Sequence, residues 1–170
     1  METVLAKLLT LDHSMSEQQL DMQIPQLLEQ IGEYTQSDRV YFFDWASPDC
    51  RIYRNTYEWC KEGVYSLQER MQKIYVQMIP CWQKRFEQGD CVWIANIDDV
   101  QNEMPFEDEL LQMRGGNTAI VVPVMSQNHL NGFMGLDNPG TEFGQLAAKL
   151  LQDAGTHISY IREYHRTMQK

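Results

Sequence analysis

The chain has 170 residues, 43% of them hydrophobic and 11% aromatic, with 24 acidic against 14 basic side chains and a formal net charge of -10. That length holds one folded domain with a real core, or one domain plus a helical extension, and the composition is not that of a disordered chain. The acidic balance argues against nucleic acid and against anionic membrane surfaces as partners, since both demand a basic face.

Val4, Leu5, Leu8 and Leu9 share one face of a short predicted helix over residues 3–11, and the polar residues 12–19 turn the chain. A second helix is expected over 21–35, where Ile24, Leu27, Leu28, Ile31 and Tyr34 recur at helical spacing. Asp21 is its expected N-cap and Pro25 falls in its first turn. Val40-Tyr41-Phe42-Phe43-Asp44-Trp45 reads as a strand, Ser47-Pro48-Asp49 as a turn, and 52–60 as a second strand paired with the first. Leu67, Met71 and Tyr75 give 67–78 helical spacing, and Pro80-Cys81-Trp82 opens a further helix that ends at Gly89. Cys91-Val92-Trp93-Ile94 is a short strand closed by Asn96-Ile97-Asp98-Asp99, and 105–114 is a helix ended by Gly115-Gly116.

Residues 118–125 form a near-continuous apolar strand of the kind buried on both faces. Pro123 cannot donate to a ladder and needs a bulge or an unpaired edge. Residues 130–137 pair back on it across Gln127-Asn128-His129, and Gly132 and Gly135 leave room for another backbone or a ligand. Thr141 is expected to cap a final helix reaching residue 168, with an apolar stripe from Phe143 through Leu150 and Leu151 to Ile161. Its early part packs on the sheet; residues 158–168 extend beyond the domain, leaving Tyr160, Ile161 and Tyr164 exposed in a monomer. The order α-α-β-β-α-α-β-α-β-β-α is an α+β layout with an antiparallel sheet.

Strand 52–60 carries an unusual face. Simple alternation points Asn55, Tyr57 and Trp59 one way and Arg54, Thr56, Glu58 and Cys60 the other. An amide, a phenol and an indole on one face suit a small-molecule pocket; they also suit satisfied structural side chains at a sheet end. Glu58, on the opposite face, needs a partner, for which Arg39 and Arg54 are candidates. The four cysteines form no CxxC pair, and the four histidines are scattered, so no metal site is expected. No stretch approaches the roughly 20 apolar residues of a membrane span, and Met1-Glu2-Thr3-Val4-Leu5 lacks a signal-peptide pattern, so a cytoplasmic location is expected.

Asp38-Arg39-Val40-Tyr41-Phe42-Phe43, Asn55-Thr56-Tyr57-Glu58-Trp59-Cys60, Pro80-Cys81-Trp82, Val121-Val122-Pro123-Val124 and Asn131-Gly132-Phe133-Met134-Gly135-Leu136-Asp137 stand in an order and spacing that resembles a GAF domain. The resemblance is to the bacterial signalling type found beside GGDEF, EAL and histidine kinase modules, and spans about residues 20–165. It implies a profilin-like central antiparallel sheet with the N- and C-terminal helices packed on one face. A ligand cavity is implied on the other face, under the middle helices and loops. It further implies a homodimer through the terminal helices, which pass a signal to a covalently linked effector. The expected division is an N-terminal helix and linker over 1–19, the GAF domain over 20–156 and a signalling helix extension over 157–170, with the chain stopping in mid-helix as in a domain cut from its effector. The NKFDE signature of cyclic-nucleotide-binding members is absent, as is the Cys-His pair by which phytochromes bind bilin.

The function expected is therefore non-catalytic sensing of an unidentified small molecule. Tyr41, Phe43, Tyr57, Trp59, Trp82 and Trp93 would be cavity walls, and Asn55, Glu58 and Asp137 polar handles, with Trp59 and Trp82 bordering one pocket. A ligand-free dimerisation module is the alternative. A free methionine sulfoxide reductase using Cys60 and Cys91 across strands is the enzymatic reading, but the sequence supplies no electropositive setting for a thiol.

Overall fold

A computed structural model describes residues 1–169. Its strands are β1 (Arg39–Trp45), β2 (Ile52–Cys60), β3 (Ile74–Tyr75), β4 (Val92–Ile94), β5 (Ala119–Ser126) and β6 (His129–Asp137). They form one sheet in the order β3-β2-β1-β6-β5-β4, with every neighbouring pair antiparallel. The helices are α1 (Glu2–Thr10), α2 (Glu17–Thr35), α3 (Pro80–Glu87), α4 (Ile97–Glu103), α5 (Pro105–Arg114) and α6 (Gly144–Met168). Helices α1, α2 and α6 pack on one face of the sheet and α3, α4 and α5 cover the other. This is the α+β antiparallel arrangement that the resemblance implies.

Alternation sends successive strand residues to opposite cores. Val40 and Phe42 of β1, Ile120, Val122 and Val124 of β5, and Met134 and Leu136 of β6 enter the core under α2 and α6. Tyr41, Phe43, Val121 and Phe133 enter the core under α3–α5. Coverage on both faces is why these strands read as unbroken apolar runs. Pro123 lies past the end of β4, whose pairing stops at Val121, on an edge with no ladder bond to lose.

Several elements differ from expectation, each for a local reason. Helix α2 starts earlier, because Ser16 and Gln19 form a reciprocal capping box; Asp21 is thereby inside the helix, and so is Pro25. Residues 67–78 are not helical. They form two 3-10 turns and strand β3, tied to β2 by the Gln68 and Gln72 side-chain amides, which donate to the carbonyls of Thr56 and Asn55. Asn96 does not close a strand but caps α4 through the N–H of Asp98. Thr141 does not cap α6, which begins after Phe143 without a side-chain cap. The C-terminal half of α6 does not project beyond the domain. Ile158 and Ile161 are buried, and His157 and His165 donate to the carbonyls of Leu11 and His13 in the α1–α2 connection. Tyr160 and Tyr164 are exposed, as expected.

The glycines expected to admit a backbone or a ligand admit protein. A Cβ at Gly132 would lie 2.0 Å from the carbonyl oxygen of Phe43, and one at Gly135 would lie 2.3 Å from the Tyr41 hydroxyl. Gly32 on α2 does the same for Trp59, whose ring carbon Cζ3 would lie 2.0 Å from an added Cβ. Gly32→Ala is predicted to lower stability by about 1–3 kcal/mol in urea denaturation through this overlap, although alanine outranks glycine in a helix by about 1 kcal/mol. In a Trp59→Ala background the same change is neutral or stabilising; an equal cost in both backgrounds would contradict the packing described.

Candidate functional site

Strands β1 and β2 run in register from Arg39 opposite Cys60 to Phe42 opposite Tyr57, and resume with Phe43 opposite Asn55. Thr56 is thus an extra residue, a bulge. The bulge resets the alternation. Asn55 lies opposite Phe43 and Glu58 opposite Tyr41, both on the α3–α5 face, and the Asn55 amide donates to Glu58 Oε2 at 2.8 Å. Tyr57 enters the other core beside Phe42, and Trp59 packs against α2 at Gly32. The expected shared face of Asn55, Tyr57 and Trp59 does not form.

On the α3–α5 face the expected site residues build a closed structure. Asp137 at the end of β6 accepts from Arg39 Nη1 at 2.9 Å and from Arg114 Nη2. Arg39 also donates to the backbone carbonyl of Tyr65 at 2.7 Å, and its Nε lies 3.9 Å from Glu58 Oε1, which answers the question of what Glu58 faces. Glu58 Oε1 accepts from the Leu67 N–H at 2.8 Å and from the Ser66 hydroxyl at 2.8 Å. The Arg114 guanidinium lies 4.0 Å from the centre of the Tyr41 ring. Burial opposes the charge on Arg114, but the Asp137 carboxylate and the Tyr41 oxygen beside it together hold its pKa above the usual value. Burial raises the Tyr41 hydroxyl likewise. The side chains of Arg39, Arg114, Asp137 and Glu58 are each 5% exposed or less, so two cations and two anions neutralise one another out of water. The cluster ties residues 65–67 and the end of α5 to the sheet.

The remaining space on that face is filled with aromatic rings. Phe133 stacks on Phe43 at 4.5 Å and on Phe86 at 5.2 Å, and meets Tyr53 edge-on at 4.9 Å and Trp82 at 6.2 Å. Trp82 is fully buried, its helix started by the buried Glu107 carboxylate, which accepts from the N–H groups of Cys81 and Trp82. Trp59 and Trp82 are on opposite faces of the sheet and border no common pocket. Trp93 is a half-exposed edge residue near the start of α6. Cys60 and Cys91 do not meet, since β1, β6 and β5 separate β2 from β4.

A sizeable cavity opens on the other face. A cleft of about 730 Å³ opens between the first turns of α2 and the last turns of α6. Phe42 and Tyr57 form its floor, and residues of the β1–β2 turn and the start of β6 form its end wall. Of the expected site residues only Tyr57 lines it. Arg162 of α6 donates to Asp44 Oδ1 of β1 at 2.7 Å and to the Tyr57 hydroxyl at 2.7 Å, and that hydroxyl donates to Asp21 of α2. Burial opposes the Arg162 charge, but Asp44 and the Tyr57 oxygen together outweigh it, so its pKa is raised; burial also keeps Tyr57 protonated. One signal in the sequence points here: Asp44 is a lone carboxylate in an apolar strand.

The GAF domain family model matches residues 19–161. The chain belongs to the GAF domain family. The fold is also that of solved GAF structures. The phycocyanobilin-bound GAF domain of a cyanobacterial phytochrome superposes with a TM-score of 0.73 at 16% identity, over 99% of this chain and 97% of that one. The blue-light absorbing form of the PixJ GAF domain of Thermosynechococcus elongatus gives 0.65 at 14% identity, over 85% and 88%. The bacteriophytochrome RpBphP3 of R. palustris gives 0.70 at 16% identity; this chain is covered over 98% and spans 37% of that one. No curated protein matches the chain. At these identities the likeness is one of fold.

Removing the Asp137 charge leaves two buried guanidiniums short of an anion. Asp137→Asn is predicted to cost about 3–5 kcal/mol, read as a lower denaturant midpoint. A change within about 0.5 kcal/mol, the range of ordinary surface substitutions, would show the cluster to be unimportant.

Proposed function

We propose that this GAF domain is a non-catalytic regulatory module of a signal-transduction protein, which senses a small molecule and passes the change through its terminal helices. The observation that carries the reading is the Asp44–Arg162–Tyr57–Asp21 network. It joins strands β1 and β2 to both α2 and α6 at the wall of a ligand-sized cleft. A molecule that binds one arrangement of these helices better than another shifts their equilibrium. The partner is a covalently linked effector of the GGDEF/EAL or histidine kinase type, and a second copy meets the exposed Tyr160 and Tyr164 face of α6. The expected setting is cytoplasmic; among the described residues no helix is long and apolar enough to cross a membrane.

A bilin does not suit the face where the resemblance places a ligand. Trp82, Phe86 and Phe133 fill it, and the void beside Asp137 and Arg114 holds about 10 Å³, against the several hundred that a drug-sized ligand needs. The thiols support the absence of catalysis. Burial, then the neighbouring Glu58 charge, pushes Cys60 up to about 11. Burial raises Cys81 and Cys91 too, the first aided by Glu107 and the second by Asp90.

Two measurements test these points. At pH 8 iodoacetamide is expected to modify Cys60 on the order of 100-fold more slowly than an unperturbed thiol, from its lower thiolate fraction; rapid labelling would reopen the reductase reading. A metabolite that raises the Tm of the chain is expected to change hydrogen exchange in the last turns of α6. A broad library without such a compound, or hits that leave α6 untouched, would overturn the sensor reading.

A further inference from the structure

Helix α1 and the α1–α2 connection lie outside the residues that match the GAF model, and so do residues 162–168 at the end of α6. These outlying pieces are fastened to each other. We propose that α1 and the connection form an autoinhibitory clasp: docked, they keep the last turns of α6 folded on the domain, and undocked, they free those turns for an effector to read. The proposal rests on the sensor reading, in which α6 carries the output, and adds the part of the chain that restrains it.

The contacts along α6 change at Glu163. Up to that residue the sheet holds the helix. Ile158 and Ile161 are buried in the core, and Asn131 of β6 donates to the Ser159 hydroxyl at 2.8 Å. Arg162 donates to Asp44 of β1 at 2.7 Å, and Glu163 accepts from Ser126 of β5 at 2.7 Å and from Asn131 at 3.2 Å. Beyond Glu163, the hydrogen bonds and ring contacts that residues 164–168 make outside α6 are, among the described residues, both with His13 of the connection. The His13 carbonyl accepts from His165 Nε2 at 3.1 Å, and the His13 ring centre lies 4.8 Å from that of Tyr164. Further back on α6, His157 Nε2 donates to the Leu11 carbonyl at 2.6 Å. The end of α6 is therefore held by the connection and not by the sheet.

The connection is seated by α1, and α1 is docked shallowly. Val4 and Leu11 are buried in the core under α2 and α6, and Leu8 packs against that core. The remaining apolar side chains of this end face away from it: Met1 is 52% exposed, Leu5 39% and Leu9 79%. Helix α1 has 9 residues and no side-chain cap at its N-terminus, and a helix that short does not hold together alone. Its side-chain ties to α2 are those of Lys7 to Gln23 and Gln26. Helix α2, by contrast, has 19 residues and a complete capping box. A short, uncapped, half-covered segment is the kind that opens ahead of the rest of a fold. The Leu11 N–H bonds to the Leu8 carbonyl, so Leu11 moves with α1. When α1 leaves, His13 leaves beside Leu11 and residues 164–168 lose their fastening. Undocking of α1 and release of the end of α6 are one linked equilibrium, in which each side depends on the other.

Hydrogen exchange of the whole chain, read by mass spectrometry, tests the linkage from both sides. Val4→Asp puts a carboxylate into the core under α2 and α6 and changes no residue of α6. It is expected to speed exchange over residues 2–10 and, by about fivefold or more, over 157–168, with 144–156 and the strands at wild-type rates. His157→Ala/His165→Ala, which takes no residue from the core, works from the other end and is expected to speed exchange over 2–10 by a comparable factor. Either of two results would overturn the proposal: α1 loosened by Val4→Asp while 157–168 exchange as in the wild type, or residues 2–10 unchanged once the two imidazoles are gone. Should Val4→Asp unfold the chain, the histidine pair decides alone. No ligand is present in these measurements, so a failure removes the clasp and leaves the sensor reading standing. A clasp that opens as described, in a chain whose α6 exchange no stabilising compound alters, keeps the clasp and sinks the sensor.

Discussion

One extra residue in β2 decides which side chains of this sheet can meet. Because side chains alternate with a period of two, inserting Thr56 transfers everything before it to the opposite face relative to everything after it. Asn55 therefore joins Glu58 and the buried arginine cluster, while Tyr57 is released to the helical face, where Arg162 and Asp21 reach it. The bulge also leaves the carbonyls of Asn55 and Thr56 to accept from Gln72 and Gln68, which holds the following segment against the strand instead of in a helix. Both the closed face and the open cleft depend on this offset.

The two ends of the sheet handle charge in opposite ways. At the Asp137 end the cations and carboxylates are matched and dry, and the surrounding polar atoms bond to backbone that would otherwise drift. A buried set of this kind contributes little net stability as a whole but makes the loss of any one member expensive, so it fixes the position of α5 and of residues 65–67. At the Arg162 end the groups are partly exposed. The Arg162–Asp44 pair is about 20% exposed on each side, and Arg54 and Arg166 border the same cleft with Glu17 and Asp21. A dry cluster resists change; a wet one rearranges at lower cost.

The sheet was legible because two-sided burial writes itself as long apolar runs in β1, β5 and β6, and because the order of motifs resembles a GAF domain. The site was legible only in part. Asn55, Tyr57 and Trp59 stood out as polar or aromatic residues at alternate positions, but alternation presumes an unbroken register, and nothing in Asn55-Thr56-Tyr57 marks the bulge. Trp82 and Trp93 show the limit of residue type as a guide: one is sealed in a core and the other stands on an edge strand. The capping box of Ser16 and Gln19 was readable and would have placed Asp21 inside α2, facing the sheet. Arg162 was hidden by its neighbours, since an arginine beside an apolar stripe usually lies on the wet side of a helix.

The direction of the hydrogen bonds at Tyr57 follows from what each group can do. A guanidinium only donates, so the bond from Arg162 Nη2 must be accepted by the Tyr57 oxygen. An ionised carboxylate only accepts, so the single proton of that hydroxyl goes to Asp21. Burial keeps the proton on Tyr57 across the ordinary pH range. The order Arg162 to Tyr57 to Asp21 is therefore the one satisfied arrangement, and it runs from α6 through the sheet to α2. Anything that draws Arg162 away takes a donor from Tyr57 and a partner from Asp44 in the same movement. The disturbance then falls on α2 and α6 together.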